Sequence, residues 1–377
     1  TNVELAAEVL RGYELAQSLA GAGEETWERI ALEGDLFYDQ AEFVYGQSSD
    51  MQAYDQLRVE AFGRYAQAAE IYKGALTAGK TKPSARVYTQ WFSAAMGASD
   101  LGFLTRQDRP DLQQIDDVRT AILDVGSAEQ ASKHVGLFAK EIARSSQEMS
   151  PELKPKYLRE ALRIIGEHPD GADARDKLAF YDDLNKEVAL DVRLDGPSEI
   201  GVDEVFGVNI AVRSTRAVTR ESGGFSKYLM NEQYNPMTGQ PVNYKDDLEK
   251  QLRERWGTSF EVLSVNFHKP MQPAIGAGRE GWELSPPAYV LLKSKDPKID
   301  RLPDIKMDMD FSDGGGLVIL PITSSPVPVD SGDRQAKAAA PGVSIEQIFD
   351  DREAPTGTVR LEVRATGKGV MPVSYTH

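Results

Sequence analysis

Residues Phe62 to Pro83, FGRYAQAAEIYKGALTAGKTKP, decide the fold, because they carry two incompatible readings. In one, Phe62, Tyr65, Ala69, Tyr72 and Leu76 recur at steps of three and four and line one face of a helix. In the other, Gly74-Ala-Leu-Thr-Ala-Gly79-Lys80-Thr81 satisfies the phosphate-loop pattern G-x-x-x-x-G-K-[ST]. A phosphate loop must follow a buried strand and open a helix, so that successive backbone N–H groups face the anion. The residues before Gly74 are Ala-Ala-Glu-Ile-Tyr-Lys, part of an Ala-rich amphipathic run, whereas a buried parallel strand reads as Val, Ile and Leu. Pro83 stands where the loop's own helix would be starting. The helix reading instead places Gly79 just past a helix C-terminus beside Lys80 and Lys82, with Pro83 at the first position of the next helix. The acid that would complete a magnesium site, Asp124, falls in another helical pattern. The helix is preferred. Gly74, Gly79, Lys80 and Thr81 remain as nucleotide-binding residues of the alternative alone.

Working outward, the chain reads as helices from Val3 to about Lys186. Val3, Ala6, Leu10, Tyr13 and Ala16 form one stripe, ending near Gly21-Ala-Gly23. A second helix runs from Thr26-Trp27 to Tyr45 with Gly46 as its stop, and a third spans Ala53–Ala78. Pro83 opens a fourth, ending near Gly102, and Pro110 opens a fifth, closed by Gly126. Ser127-Ala-Glu-Gln130 is a capping box for a sixth. Ser150-Pro151-Glu152 supplies a cap, a first-position proline and a first-turn acid for a seventh. His168-Pro169-Asp170 separates it from the last, through Leu178 and Leu184. Short links between helices of similar length predict stacked antiparallel hairpins. Ala68-x-x-x-Tyr72-x-x-Ala75-Leu76, followed by Pro83, resembles the second helix of a tetratricopeptide (TPR) unit. Leu158-Arg-Glu-Ala161-Leu162-Arg-Ile-Ile165, followed by His168-Pro169, resembles it too. The resemblance implies a TPR-like α-solenoid for residues 1–186.

At Asn185 to Ala189 the period changes from about 3.6 to 2, which marks a domain boundary. Val188–Leu194 and Val205–Arg213 alternate, and Phe260–Phe267, Ala288–Lys293, Ile305–Phe311, Leu317–Ile322 and Val359–Ala365 follow as strands. Strands joined by turns predict an antiparallel β-sandwich of immunoglobulin-like type over 187–323. An insertion at 222–258 interrupts it, with Asn235-Pro236, Thr238-Gly239 and a helix whose Leu248, Leu252 and Trp256 share a face. A long insertion with its own helix reads as a lid or docking element. Residues 324–342 read as a Pro/Ser/Ala-rich linker, and 343–377 as strands that complete the sandwich or open a further domain. Val205-Phe-Gly-Val, Arg220-Glu-Ser-Gly-Gly-Phe225, Asp308-Met-Asp310-Phe and Val318-Ile-Leu-Pro321 together look like segments of uncharacterised bacterial envelope proteins. That resemblance implies a periplasmic or envelope location.

Composition narrows the classes of function. A chain of 377 residues suits two or three domains, and 41% hydrophobic with 27% charged residues is an ordinary globular profile. With no cysteine, disulfides, thiol catalysis and Cys-ligated zinc are excluded. A net charge of −16 and no basic patch interleaved with aromatics argue against a nucleic-acid partner. No apolar run approaches the roughly 18–20 residues that span a bilayer, so an anchor would lie outside this stretch.

Candidate chemistry is sparse. Asp304, Asp308, Asp310 and Asp313 invite a calcium reading, but from Asp308 the sixth position is Asp313 where an EF-hand needs Gly, and the twelfth is Ile319. The alternation of Ile305, Met307, Met309 and Phe311 explains these acids as the solvent face of a strand. Asp308, Asp310 and Asp313 are therefore metal ligands of an alternative reading only. His134, His168, His268 and His377 show no metal-ligand spacing, and His168 reads as a helix C-terminal residue meeting the local dipole. There is no G-x-S-x-G elbow, and Gly21-Ala-Gly23 is a turn without a dinucleotide fingerprint. The expectation is a non-enzymatic scaffold that binds a protein partner through its helical repeats, without cofactor or catalytic residues. The alternatives are nucleotide binding at 74–81 and a sandwich that binds a ligand or carbohydrate.

Overall fold

The computed structural model describes residues 2–22, 24–48, 50–97, 110–223, 244–267, 274–275, 281–295, 298–330, 344–350 and 360–366. The chain forms two units, one of Thr1–Asp183 with Ser312–Val318 and the other of Leu184–Phe311 with Ile319–His377.

Among its described residues the first unit holds eight α-helices: α1 (Asn2–Gly21), α2 (Trp27–Ser48), α3 (Met51–Thr77), α4 (Arg86–Met96), α5 (Leu112–Leu123), α6 (Ala128–Ser145), α7 (Lys154–Ile165) and α8 (Ala172–Tyr181). Each packs against its sequence neighbours, and α2–α4, α3–α5, α4–α6, α5–α7 and α6–α8 touch as well. The stripe of α3 is what makes this work: Phe62, Tyr65, Ala69 and Tyr72 are all buried. Asp50 starts α3 by accepting the N–H groups of Gln52 and Ala53, and the expected capping box of Ser127 and Gln130 starts α6. In the α2–α3 hairpin, a Cβ at Gly34 would lie 2.7 Å from Cε1 of Tyr65, so only glycine admits that ring.

Several boundaries differ from expectation. Gly46 does not stop α2, which runs to Ser48, because an exposed helical glycine weakens a helix by only about 1 kcal/mol. The fourth helix begins at Arg86 rather than Pro83, since Ser84 N–H donates to the Tyr72 hydroxyl at 2.6 Å and holds the approach out of the helix. It also ends at Gly97, left-handed at φ 64°, before the expected Gly102. Residues 151–153 form a turn whose Leu153 and Lys154 N–H groups bond Ser150 C=O, and α7 starts three residues later on a second proline, Pro155.

The second unit is antiparallel. Its strands are β1 (Val188–Asp195), β2 (Val205–Thr215), β3 (Phe260–Phe267), β4 (Ala274–Ile275), β5 (Trp282–Ser294), β6 (Arg301–Leu302), β7 (Lys306–Asp313), β8 (Gly316–Thr323), β9 (Val327–Pro328), β10 (Ser344–Asp350) and β11 (Arg360–Thr366). The main sheet runs β1-β2-β5-β3 with β4 also on β5, while β6–β9, β7–β8 and β10–β11 are separate pairs. Inward residues alternate as the pattern predicts, with Val208, Ile210, Val212, Val290 and Leu292 buried. β5 is longer than expected. Pro286-Pro287 lack N–H groups, and the ladder absorbs them in a bulge, with Ile210 opposite Ala288 but Val212 opposite Ser285. A second bulge leaves Leu263 unpaired on β3, between Val262 and Ser264.

Among the described residues two helices accompany these strands, α9 (Arg216–Ser222) and α10 (Tyr244–Trp256). In α10 Leu248, Leu252 and Trp256 are buried as one face, and Trp256 donates its indole N–H to Pro303 C=O at 2.9 Å. Residues 224–243 of the 222–258 insertion, including Asn235 and Gly239, lie outside the described residues. Residues 324–330, read as the start of a linker, are structured. Ser324 exchanges hydrogen bonds with Ile305, and β9 pairs β6. The linker's remainder is outside the described residues, as are residues 343, 351–359 and 367–377.

Candidate functional site

Gly74 lies inside α3, so the segment entering it is a helix. The stretch after it closes that helix. Gly79 is left-handed at φ 68°, its N–H bonds Leu76 C=O at 3.0 Å, and Lys80 N–H bonds Ala75 C=O at 2.8 Å. This pair of bonds is the Schellman ending, which satisfies carbonyls the helix leaves open. Ala78 N–H is committed to Gly74 C=O at 3.1 Å. The amides of Ala78, Gly79 and Lys80 therefore face the helix's own carbonyls. Tyr72 ties down the exit by donating from its hydroxyl to Lys82 and Ser84 carbonyls. Asp124, the would-be magnesium partner, is paired with Lys73.

The aspartates of the calcium reading do not converge either. Asp308 is exposed on β7 while Met307, Met309 and Phe311 turn inward. Burial, and then the charge of Asp308, hold the Asp310 carboxyl above its usual range. Asp304 pairs with Arg255 at 2.9 Å. Asp313 is a buried anion within the helical unit, ion-paired to Lys154, accepting from the Tyr181 hydroxyl at 2.7 Å and from Gly315 N–H at 2.8 Å. Lys154 Nζ also sits 4.6 Å from the Tyr181 ring centroid. Among the described residues no three His, Asp or Glu side chains gather as a metal site.

One polar network that joins three helices centres on Asp35 of α2. Its Oδ1 accepts from the Tyr65 hydroxyl of α3 at 2.8 Å, and its Oδ2 accepts from Gln90 of α4 at 2.7 Å with Arg86 of α4 at 3.5 Å. Burial raises the Asp35 carboxyl above its usual range, against the pull of Tyr65 and Arg86. Burial, then the Asp35 charge, pushes the Tyr65 hydroxyl well up. One turn along α2, partial desolvation of the carboxyl raises Asp39 too, although the residue as a whole is exposed. With both oxygens occupied by donors, Asp35 ties three helices together. The half-exposed Arg86 and the exposed Asp39 leave charges of both signs on that face. Sequence reading missed this network because its partners are 30, 51 and 55 residues away. The local signal was the i,i+4 spacing of Asp35 and Asp39, which sets both on one side of α2.

Two histidines are placed by the fold. His168 follows the α7 C-terminus, its backbone N–H bonding Ile165 C=O at 3.3 Å, but its ring turns elsewhere: Nδ1 accepts Asp170 N–H at 3.2 Å, capping the short turn Pro169–Gly171, and Nε2 meets Ser132 Oγ at 3.1 Å. The proline forces His168 extended at ψ 135°, which turns its ring toward the following amide. His134 is buried in the helical core. His268 and His377 lie outside the described residues. No protein-family model matches the chain, and no curated protein matches it in sequence.

Proposed function

We propose that the chain is a non-enzymatic interaction protein. Its helical hairpins act as a TPR-like α-solenoid that binds a protein partner, and its sheets form an immunoglobulin-like sandwich serving as spacer or anchor. The reading rests on one observation above all: each helix packs on the next and, from α2 onward, on the next but one, the arrangement of a stacked array. Such arrays bind through side chains laid along successive helices. The α2–α4 face fits that use, with Arg86 and Asp39 outward over an interior fixed by Asp35, Tyr65 and Gln90.

Affinity capture with the whole chain tests this. A partner recovered by the wild type should be lost on charge reversal of the face (Asp39→Arg with Arg86→Glu) and kept by Leu263→Arg on β3. Loss in the sheet variant alone, with the helical variant binding normally, would overturn the assignment of the surface.

A further inference from the structure

His134 is the titratable group of the helical core that none of the contacts above explains. It projects from α6, is 1% exposed, and neither ring nitrogen has a hydrogen-bond partner among the described residues. Two tyrosine rings enclose it, Tyr72 of α3 at 6.0 Å and Tyr88 of α4 at 5.9 Å between centroids, and those two stand 5.9 Å from each other. The Tyr88 hydroxyl is also buried without a partner, while the Tyr72 hydroxyl is engaged by the loop at Lys82 and Ser84. Trp27 of α2 closes over Tyr72 at 5.0 Å.

We infer that His134 makes the helical unit acid-sensitive: protonating its imidazole is incompatible with the closed α3–α4–α6 junction, so mild acid opens that junction. The physical reason is that an imidazolium needs two acceptors or a counter-charge, and a buried charge with neither is costly. The groups facing it are the neutral phenols of Tyr72 and Tyr88. Lys133 on its own helix repels a proton, and the carboxylate felt by the cluster, Glu70 of α3, acts on Tyr88. Burial first, and then Lys133, lower the affinity of His134 for its proton in the fold. The sign follows from linkage. A lowered folded value means that the unfolded chain takes the proton first. Stability is therefore whole above the ordinary histidine value of about 6.5 and falls as the pH drops below it, until the folded group titrates. In that window the folding constant should fall by at most about tenfold per pH unit.

The test is urea unfolding of the full chain from pH 8 to 5, wild type against His134→Phe, followed by helical circular dichroism. Contributions from the other titratable groups are common to both proteins and cancel in the ratio of folding constants. That ratio should be flat above about pH 6.5 and change steadily below it, by at most about tenfold per unit. Parallel profiles would overturn the inference. Should His134→Phe fail to fold, an NMR titration of the wild-type His134 ring decides. A ring still neutral at pH 5.5 in the folded protein supports the inference, and one that titrates at or above the ordinary value with the helices intact sinks it.

Discussion

The two units bury different things. The helical unit encloses Glu33, Arg58, His134 and Lys154, besides Thr89 and Ser146, whereas the buried polar side chains described in the sheet unit are the serines Ser214, Ser294 and Ser324. The reason lies in the backbone. A sheet satisfies its interior amides along the ladder, but every helix ends with open carbonyls that need donors from elsewhere. Arg58 answers that need for α4, donating to Ala94 and Ala95 carbonyls at 3.1 and 3.0 Å while lying over the Tyr54 and Phe62 rings. Lys177 does the same for Ala143, and Arg175 for Gly166. Arg58 and Lys177 carry charge inward in this way, and counter-charges are found there too, as Glu33 shows between Arg29 and Arg64. An array of short helices is thus held by matched charges as well as by shape, and the sheet by shape.

The largest effect that would break this contrast is at Lys154. Lys154→Met leaves Asp313 buried with only neutral donors, and urea unfolding should show a loss of about 3–5 kcal/mol in the helical unit. Adding Asp313→Leu should restore most of it, because an apolar pair replaces a buried ion pair at little cost. A double variant as weak as the single one would show that the pair is not an isolated electrostatic unit. In the sheet the matching experiment is Leu292→Ala, in the fully buried interior of β5. The expected loss is about 2–5 kcal/mol from transfer and cavity terms. Its size should be the same at pH 5.5 and 7.5, since no titratable group is involved. A pH-dependent penalty there would erase the distinction between the units. The smallest effect is expected at Lys80. Lys80→Ala on an exposed turn should change stability by no more than about 0.5 kcal/mol, and isothermal titration should show no magnesium-dependent ATP binding that it abolishes. Tight binding lost in the variant would revive the phosphate-loop reading of 74–81.

Periodicity made most elements legible. The stripe Phe62-Tyr65-Ala69-Tyr72-Leu76 is a property of neighbouring residues, as is the alternation through Val208, Ile210 and Val212; its first four members are buried and Leu76 half-buried, and Ala211 is buried between the inward residues of β2. Punctuation was less dependable where two signals competed. Pro151 reads as the helix start, but the helix begins at Lys154, with Pro155 in its first turn. The strand reads only from Ala288, yet a bulge at Pro286-Pro287 carries β5 back to Trp282. The polar networks were not legible at all. Asp313 looks like one more acid in an acidic stretch, and its partner Lys154 is 159 residues away. The Asp35 cluster joins α2 to α3 and α4 through pairs that no local spacing anticipates. Histidine 134 gave no sign in sequence that both its nitrogens would be enclosed.

The proline pair in β5 has a consequence for how the sheet holds together. On one side β3 accompanies β5 from Ser294 down to Ala288, and β4 accompanies it only at Leu284 and Glu283. On the other, the β2 register jumps across the same place. Two residues unable to donate thus mark a seam where one ribbon is stitched on either side by different neighbours. If either length frays apart from the other, amide exchange at Trp282–Ser285 should run ahead of that at Ala288–Ser294.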